Sequence, residues 1–215
     1  GQDTVAAGLR HGNNGPRHWR DTPSGSSVFD AKADALAVLA AVGAPVDNLQ
    51  ISANAPGWYH PGRSGTLRLG KSVLALFGEI HPKVLRRLDD RGPAAGFEVF
   101  IDDVPQPKKK AGKARSSLHI STFQPVHRDL AFVIDKSIGA DQILRAVKGT
   151  DKGLVSDAGV FDVYEDASLG EGRKSVAVWL TLQPADRTMT DEEIESVAAS
   201  VVANVEKQTG GTLRG

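Results

Sequence analysis

Cysteine is absent from the 215 residues, which removes disulfides, thiolate metal sites and cysteine nucleophiles together. Methionine occurs once, at Met189, so the chain does not start on an initiator residue. Gly1 reads as a cut end, and the expectation is a piece of something larger. No apolar stretch approaches the roughly 20 residues that a membrane-spanning helix needs. The start of the chain also lacks the basic-then-apolar pattern of a signal peptide. No membrane role is expected, and the expected compartment is the cytoplasm. Net charge is missing too, because 26 basic and 26 acidic side chains cancel.

The cancellation hides an uneven distribution. Residues 1–107 hold 11 basic and 11 acidic side chains, and residues 108–121 hold five basic ones and no acid. Residues 122–215 hold 10 basic and 15 acidic side chains. A nucleic-acid binder usually carries a basic footprint. Any RNA contact in the second half must therefore rest on stacking and shape, or on charge supplied by a larger assembly.

Two prolines, a glycine, a run of lysines and no apolar period make Pro105–Ser117 the clearest boundary. The pattern divides the chain into 1–106, a basic linker at 107–120 and a second domain at 121–215. The lysines suit either a phosphate-touching strap or a solvated connector.

The first half reads as mixed α/β. A short strand is expected at Val5–Arg10, and a helix at Phe29–Val42, capped by Asp30 and stopped by Gly43, with Leu36, Leu39 and Ala40 as its stripe. Further strands are expected at Ile51–Ala55, Val73–Glu79 and Phe97–Asp102, with a short helix at Pro82–Leu88. Trp58–Gly65 reads as a turn-rich loop around Pro61-Gly62.

The second half has a sharper pattern. Strands are expected at Leu130–Ile134, Leu154–Tyr164 and Lys174–Gln183, the last two forming a hairpin. Ala140–Lys148 reads as a helix. A second helix opens on the capping box Thr190-x-x-Glu193, carries Ile194, Val197, Ala198, Val201 and Val205 inward, and ends at Gly210. With Thr212–Arg214 as a final strand the order is β-α-β-β-α-β, the ferredoxin-like plan in which two helices cover one face of a sheet. Alternation then assigns faces. Phe161, Val163, Val176, Val178, Leu180 and Leu182 are expected beneath the helices. Ala131, Val133, Asp162, Tyr164, Ser175, Ala177, Trp179 and Thr181 are expected on the open face. There an aromatic ring beside a carboxylate, a hydroxyl and small residues suits an unstacked base, since the ring stacks and the carboxylate accepts from base N–H groups. Packing of Trp179 and Tyr164 against protein is the alternative.

Six segments in order carry a family resemblance: Phe123–Val133, Val160–Tyr164, Gly170–Ser175, Thr181–Pro184, Thr188–Ile194 and Gly210–Gly215. Together they resemble the anticodon-binding domain of bacterial phenylalanyl-tRNA synthetase β subunits. Ala6–Arg10, Pro16–Trp19, Phe29–Asp34, Tyr59–Ser64 and Phe77–Pro82 resemble the non-catalytic, synthetase-like module of that subunit. The implied fold is α+β, a ferredoxin-like βαββαβ sandwich preceded by a partial class II synthetase-like α/β module.

The resemblance implies a subunit of an (αβ)2 ligase that joins phenylalanine to its tRNA using ATP and Mg²⁺. The α subunit performs the chemistry, while the β subunit scaffolds, edits mischarged tyrosine and reads the anticodon. The editing and helical modules would lie upstream of Gly1. It further implies that the first anticodon base stacks on Tyr164, with Asp162 as hydrogen-bonding neighbour and Ala131 and Ser175 lining the site. Arg128 is a candidate phosphate contact, with an ion pair to Asp129 or Asp162 as the alternative.

Catalysis and bound cofactors are not expected of this segment itself. Phe97–Asp103, where a class II enzyme's ATP-clamping arginine would fall, carries acids instead. Gly170-Glu-Gly-Arg173 lacks the spacing of a phosphate loop. The six histidines (His11, His18, His60, His81, His119, His127) show no metal-binding spacing. Asp191, Glu192 and Glu193 suit a helix start better than a metal, and His60–Arg63 reads as a structural turn. From a different class, a ferredoxin-like regulatory module binding a small ligand or a partner chain remains the alternative, which leaves the Asp162–Tyr164 pair and the Gly-Gly-Thr-Leu-Arg-Gly ending unexplained.

Overall fold

Period-2 segments build two antiparallel sheets, each backed on one face by helix, in the computed structural model, which describes residues 2–105 and 121–214. The chain divides into two compact units, Gly1–Lys113 and Ala114–Gly215. The expected basic linker, 107–120, lies wholly outside the described residues.

In unit 1, strands β1 (Val5–His11), β2 (Gln50–Ser52), β3 (Tyr59–Leu69), β4 (Ser72–Ile80) and β5 (Ala94–Phe100) form a sheet in the order β1-β5-β4-β3-β2. Helix α1 (Val28–Ala41) lies on one face and the short α2 (Pro82–Arg87) follows β4. Helix α1 starts one residue before the expected Phe29, and its N-cap is Ser27 rather than Asp30, which instead reaches back from N3 to accept from the Ser27 backbone N–H at 2.8 Å. The buried stripe is Ala31, Ala35 and Leu39, while Ala40 is exposed. Alanines let the helix approach the sheet closely, so this stripe is set by small side chains rather than by the bulkiest ones.

The expected loop at Trp58–Gly65 is instead largely strand. Tyr59 pairs with Ile80 and Ser64 with Gly78, so residues 60–63 bulge out opposite the single residue Glu79. Pro61-Gly62 thus supplies an irregularity within a strand rather than a break between elements. Gly78 permits it, because a Cβ there would lie 2.4 Å from the Ser64 Cβ. His60–Arg63 is tied down locally, with Ser64 Oγ donating to the His60 carbonyl at 2.7 Å and Arg63 paired with Glu79.

In unit 2, strands β6 (Val126–Asp135), β7 (Val155–Tyr164), β8 (Arg173–Leu182) and β9 (Thr212–Leu213) are ordered β7-β8-β6-β9. The first and third strands of the unit are the central neighbours, which is the ferredoxin-like arrangement. Helices α3 (Ala140–Thr150) and α4 (Asp191–Thr209) cover one face. Phe132, Ile134, Ile143, Val147, Val176, Val178, Leu180, Leu182, Val201 and Val205 form the core between them. Each such side chain contributes about 1.5–3 kcal/mol on burial. Asn204 ties the helices together, donating from Nδ2 to the Ala146 carbonyl at 2.7 Å and to Thr150 Oγ1 at 3.1 Å. The Thr190–Glu193 capping box starts α4, and Gly210 ends it in the left-handed region at φ 66°.

One face assignment fails. Phe161 and Val163 are 56% and 53% exposed rather than packed beneath the helices. The ladder runs Val160↔Val178 and then Asp162↔Ala177, which leaves Phe161 as an extra residue in a bulge. Val163 does share the helix side with Val176, but on an edge strand where the helices leave it uncovered.

Candidate nucleic-acid interface

Strand pairing sets two adjacent rows on the face of unit 2 away from its helices. One row is Ala131–Ala177–Asp162 and the next is Val133–Ser175–Tyr164, each crossing β6, β8 and β7. Four of the five sequence-predicted site residues, Ala131, Asp162, Tyr164 and Ser175, are thereby brought together. Ala131 and Ala177 keep the middle of the face low. Tyr164 is 42% exposed, whereas Ser175 is 2% exposed. The Asp162 carboxylate has no hydrogen-bond partner among the described residues. A ring, an available acceptor and a shallow floor are thus within two strand spacings of one another.

The fifth residue is elsewhere. Arg128 pairs with Leu180, a core residue, and so belongs to the helix side of β6. Its guanidinium lies 3.7 Å from Glu195 of α4, neither of the two acids expected as its alternative partners. Alternation already contained this answer, since Arg128 is in phase with Leu130, Phe132 and Ile134.

Arg214 was missed by the sequence reading and does reach the site. Its backbone N–H donates to the Ala131 carbonyl at 2.7 Å, continuing the β9–β6 ladder by one residue. Its side chain crosses the face to donate to Ser175 Oγ at 3.4 Å, and its guanidinium carbon sits 5.4 Å from the centroid of the Tyr164 ring. That separation is within cation–π range. A lone arginine after a two-residue strand carries no periodic signal, so only the register could reveal this contact.

Trp179 shares the open face, one row further along. It lies over Gly159, where a Cβ would fall 2.6–2.8 Å from the indole. Gly159 therefore lets the indole lie flat across β7.

Carboxylates edge the hairpin end of the face. The hydrogen bond from Lys136 holds Glu165 below the usual carboxylate range, and the Ser137 hydroxyl does the same for Asp135. Hydrogen bonds from Ser168 lower Asp166. Lys136, Arg173 and Lys174 stand among these acids, so this end carries both signs and offers no basic footprint, and the face is suited to stacking and base-edge contacts. Among the described residues, no group of three or more His, Cys, Asp or Glu side chains is placed to hold a metal ion.

Comparison with known proteins places both units in one family. Residues 121–214 match the ferredoxin-fold anticodon binding domain, and residues 1–101 match the phenylalanyl tRNA synthetase beta chain CLM domain. The phenylalanine–tRNA ligase beta subunit of Paramagnetospirillum magneticum is 52% identical over 214 residues. That of Rhodospirillum rubrum is 52% identical over 215, and that of Brucella abortus 51% over 219. Each alignment covers 100% of this chain but 27% of the relative. The chain thus spans about a quarter of the length of the curated relatives it matches. With both units matched in order and half of all positions identical, the chain belongs to the phenylalanine–tRNA ligase beta subunit family and carries its ferredoxin-fold anticodon-binding domain.

Proposed function

We propose that the open face of unit 2 seats the first anticodon base of tRNA(Phe), with the base stacked on Tyr164 and its edge turned toward Asp162. Guanine suits this seat, because its adjacent N1–H and N2–H groups are donors that one carboxylate can accept. Ala131 and Ala177 give the ring room, and Ser175 supplies a hydroxyl within the same two rows. The observation that carries the reading is the juxtaposition of an exposed ring and an available carboxylate on a helix-backed sheet of an anticodon-binding fold. Arg128, on the other side of the sheet, has no part in it.

In this reading the chain works as part of a phenylalanine–tRNA ligase β subunit that assembles with an α subunit into an (αβ)2 enzyme in the cytoplasm. ATP and Mg²⁺ act in the α subunit, and this segment contributes RNA binding and scaffolding. Among the described residues no helix is long and apolar enough to cross a membrane. The excess of acid over base in residues 122–215, 15 against 10, makes binding by this segment alone weak and sensitive to salt.

An NMR titration of the 215-residue chain with a tRNA(Phe) anticodon stem-loop carrying GAA tests the proposal, alongside a stem-loop with the first base replaced. Shifts clustered at Ala131, Asp162, Tyr164 and Ser175, larger for GAA, are expected. Shifts indifferent to the anticodon, or none at millimolar RNA, would overturn it.

A further inference from the structure

Arg214 lies in the place proposed above for the base. The Arg214 guanidinium is planar and cationic, and it lies over the Tyr164 ring while hydrogen-bonded to Ser175. These are two of the groups that a bound base would use. A base cannot stack on that side of the ring while the guanidinium is there. The contact is nevertheless a light one. The Ser175 bond is long at 3.4 Å, Arg214 is exposed, and no carboxylate is paired with it among the described residues.

Resting on the anticodon reading above, we propose that Arg214 is a displaceable occupant: an incoming base takes its place on Tyr164, and the released guanidinium pairs with a phosphate flanking that base. The register explains why the side chain can move without unzipping the sheet. Its anchor is the backbone bond to the Ala131 carbonyl at 2.7 Å, which a side-chain swing leaves intact. The pivot sits on β6, within the face itself, so the guanidinium stays near the nucleotide that displaced it. Of the cations near this face, Lys136 is paired with Glu165 and Lys174 donates to the Lys136 carbonyl, whereas Arg214 lies at the ring with no carboxylate partner among the described residues. Exchange of ring for phosphate keeps the arginine satisfied in both states, first by the π face and the hydroxyl, then by a charge-assisted bond.

The test uses the whole 215-residue chain and the GAA stem-loop. In the free protein the Arg214 side-chain protons should be shifted upfield by the Tyr164 ring current, and saturating RNA should abolish that shift. The salt dependence of binding should then separate two variants. Arg214→Ala should lower the slope of log K against log[salt] by about 0.7–1, the loss of one phosphate contact. Arg214→Lys should keep the slope, because its charge still reaches the phosphate, while losing the upfield signature in the free state. A purely structural role in holding β9 would leave the slope unchanged in Arg214→Ala, and that result overturns the proposal. So does an Arg214 signature that persists when Tyr164 is saturated with RNA. If the anticodon reading itself fails, the outcome differs, because neither the native chain nor Arg214→Ala would then show anticodon-dependent shifts at Tyr164.

Discussion

The two sheets treat the face away from their helices in opposite ways. In unit 1 the chain covers its own Glu98: the Trp58 indole and the Tyr59 hydroxyl both donate to Glu98 Oε1, at 3.1 and 3.0 Å. Burial and the neighbouring Glu98 raise the Tyr59 hydroxyl above its ordinary pKa, so it remains a donor. In unit 2 the Asp162 carboxylate is left without a protein donor, and Tyr164 presents its ring to solvent and to Arg214. The pairing of an acid with an aromatic ring is common to both sheets. Where the ring closes on the acid, the pair is structure. Where ring and acid stand side by side on the same face, the pair is free to receive something else.

The largest effect expected from breaking this contrast lies in the core that supports the open face. Phe132→Ala should cost about 3–5 kcal/mol of unit 2 stability, measured by denaturant unfolding. Next comes the covered acid. Glu98→Ala leaves the Tyr59 hydroxyl and the Trp58 N–H without their acceptor and should destabilise unit 1 by about 1–3 kcal/mol. Asp162→Ala should change the stability of unit 2 by no more than about 0.5 kcal/mol. Equal costs in thermal melts of the two variants would erase the distinction. The exposed ring should behave the other way round. Tyr164→Ala should weaken binding of the GAA stem-loop by about 1–3 kcal/mol, the range for one stacked base, and leave the melting transition nearly unmoved. Calorimetric binding and melting on the same preparation check both halves of that statement.

The smallest effect concerns the helix caps. Hydrogen bonds from Ser27 and Asn14 depress Asp30 in unit 1 to about 2. An acid with a lowered folded pKa stabilises above its unfolded value and loses that contribution as pH falls through the folded one. The α1 cap should therefore hold at pH 4 and above and weaken progressively toward about pH 2. Asp30→Asn should flatten this part of an acid titration followed by circular dichroism.

Much of this was legible in the sequence because the signals were local. The Thr190–Glu193 capping box, the period of α3 and α4 and the alternation of β8 fixed unit 2 almost element by element. Tyr164, Asp162, Ala131 and Ser175 followed from alternation alone and meet in space. What failed was non-local. Pro61-Gly62 reads as a turn, yet pairing with β4 absorbs it as a bulge. Phe161 falls on the wrong side because the count through β7 is interrupted. Arg128 was a different kind of error, since its phase with the core residues of β6 was available and a positive charge was preferred over it. The reach of Arg214 depends on how β9 meets β6, which no periodicity states.

The interruptions in β7 have a consequence for how this site can be lost. Ser156 and Phe161 are each skipped by the ladder, and each skip reverses which residues face the helices. Strand β7 behaves like a message with two single-letter insertions. Before the second one, even-numbered residues Ala158 and Val160 turn inward, and after it the odd-numbered Val163 does. Deleting Phe161 alone would remove the bulge and leave Asp162 opposite Ala177 and Tyr164 opposite Ser175, whereas deleting the paired Val163 would bring Tyr164 opposite Val176, on the helix side, without altering its chemistry. The recognition surface is thus encoded partly in length, and loss of one paired residue in this strand is expected to be more damaging than most substitutions along it.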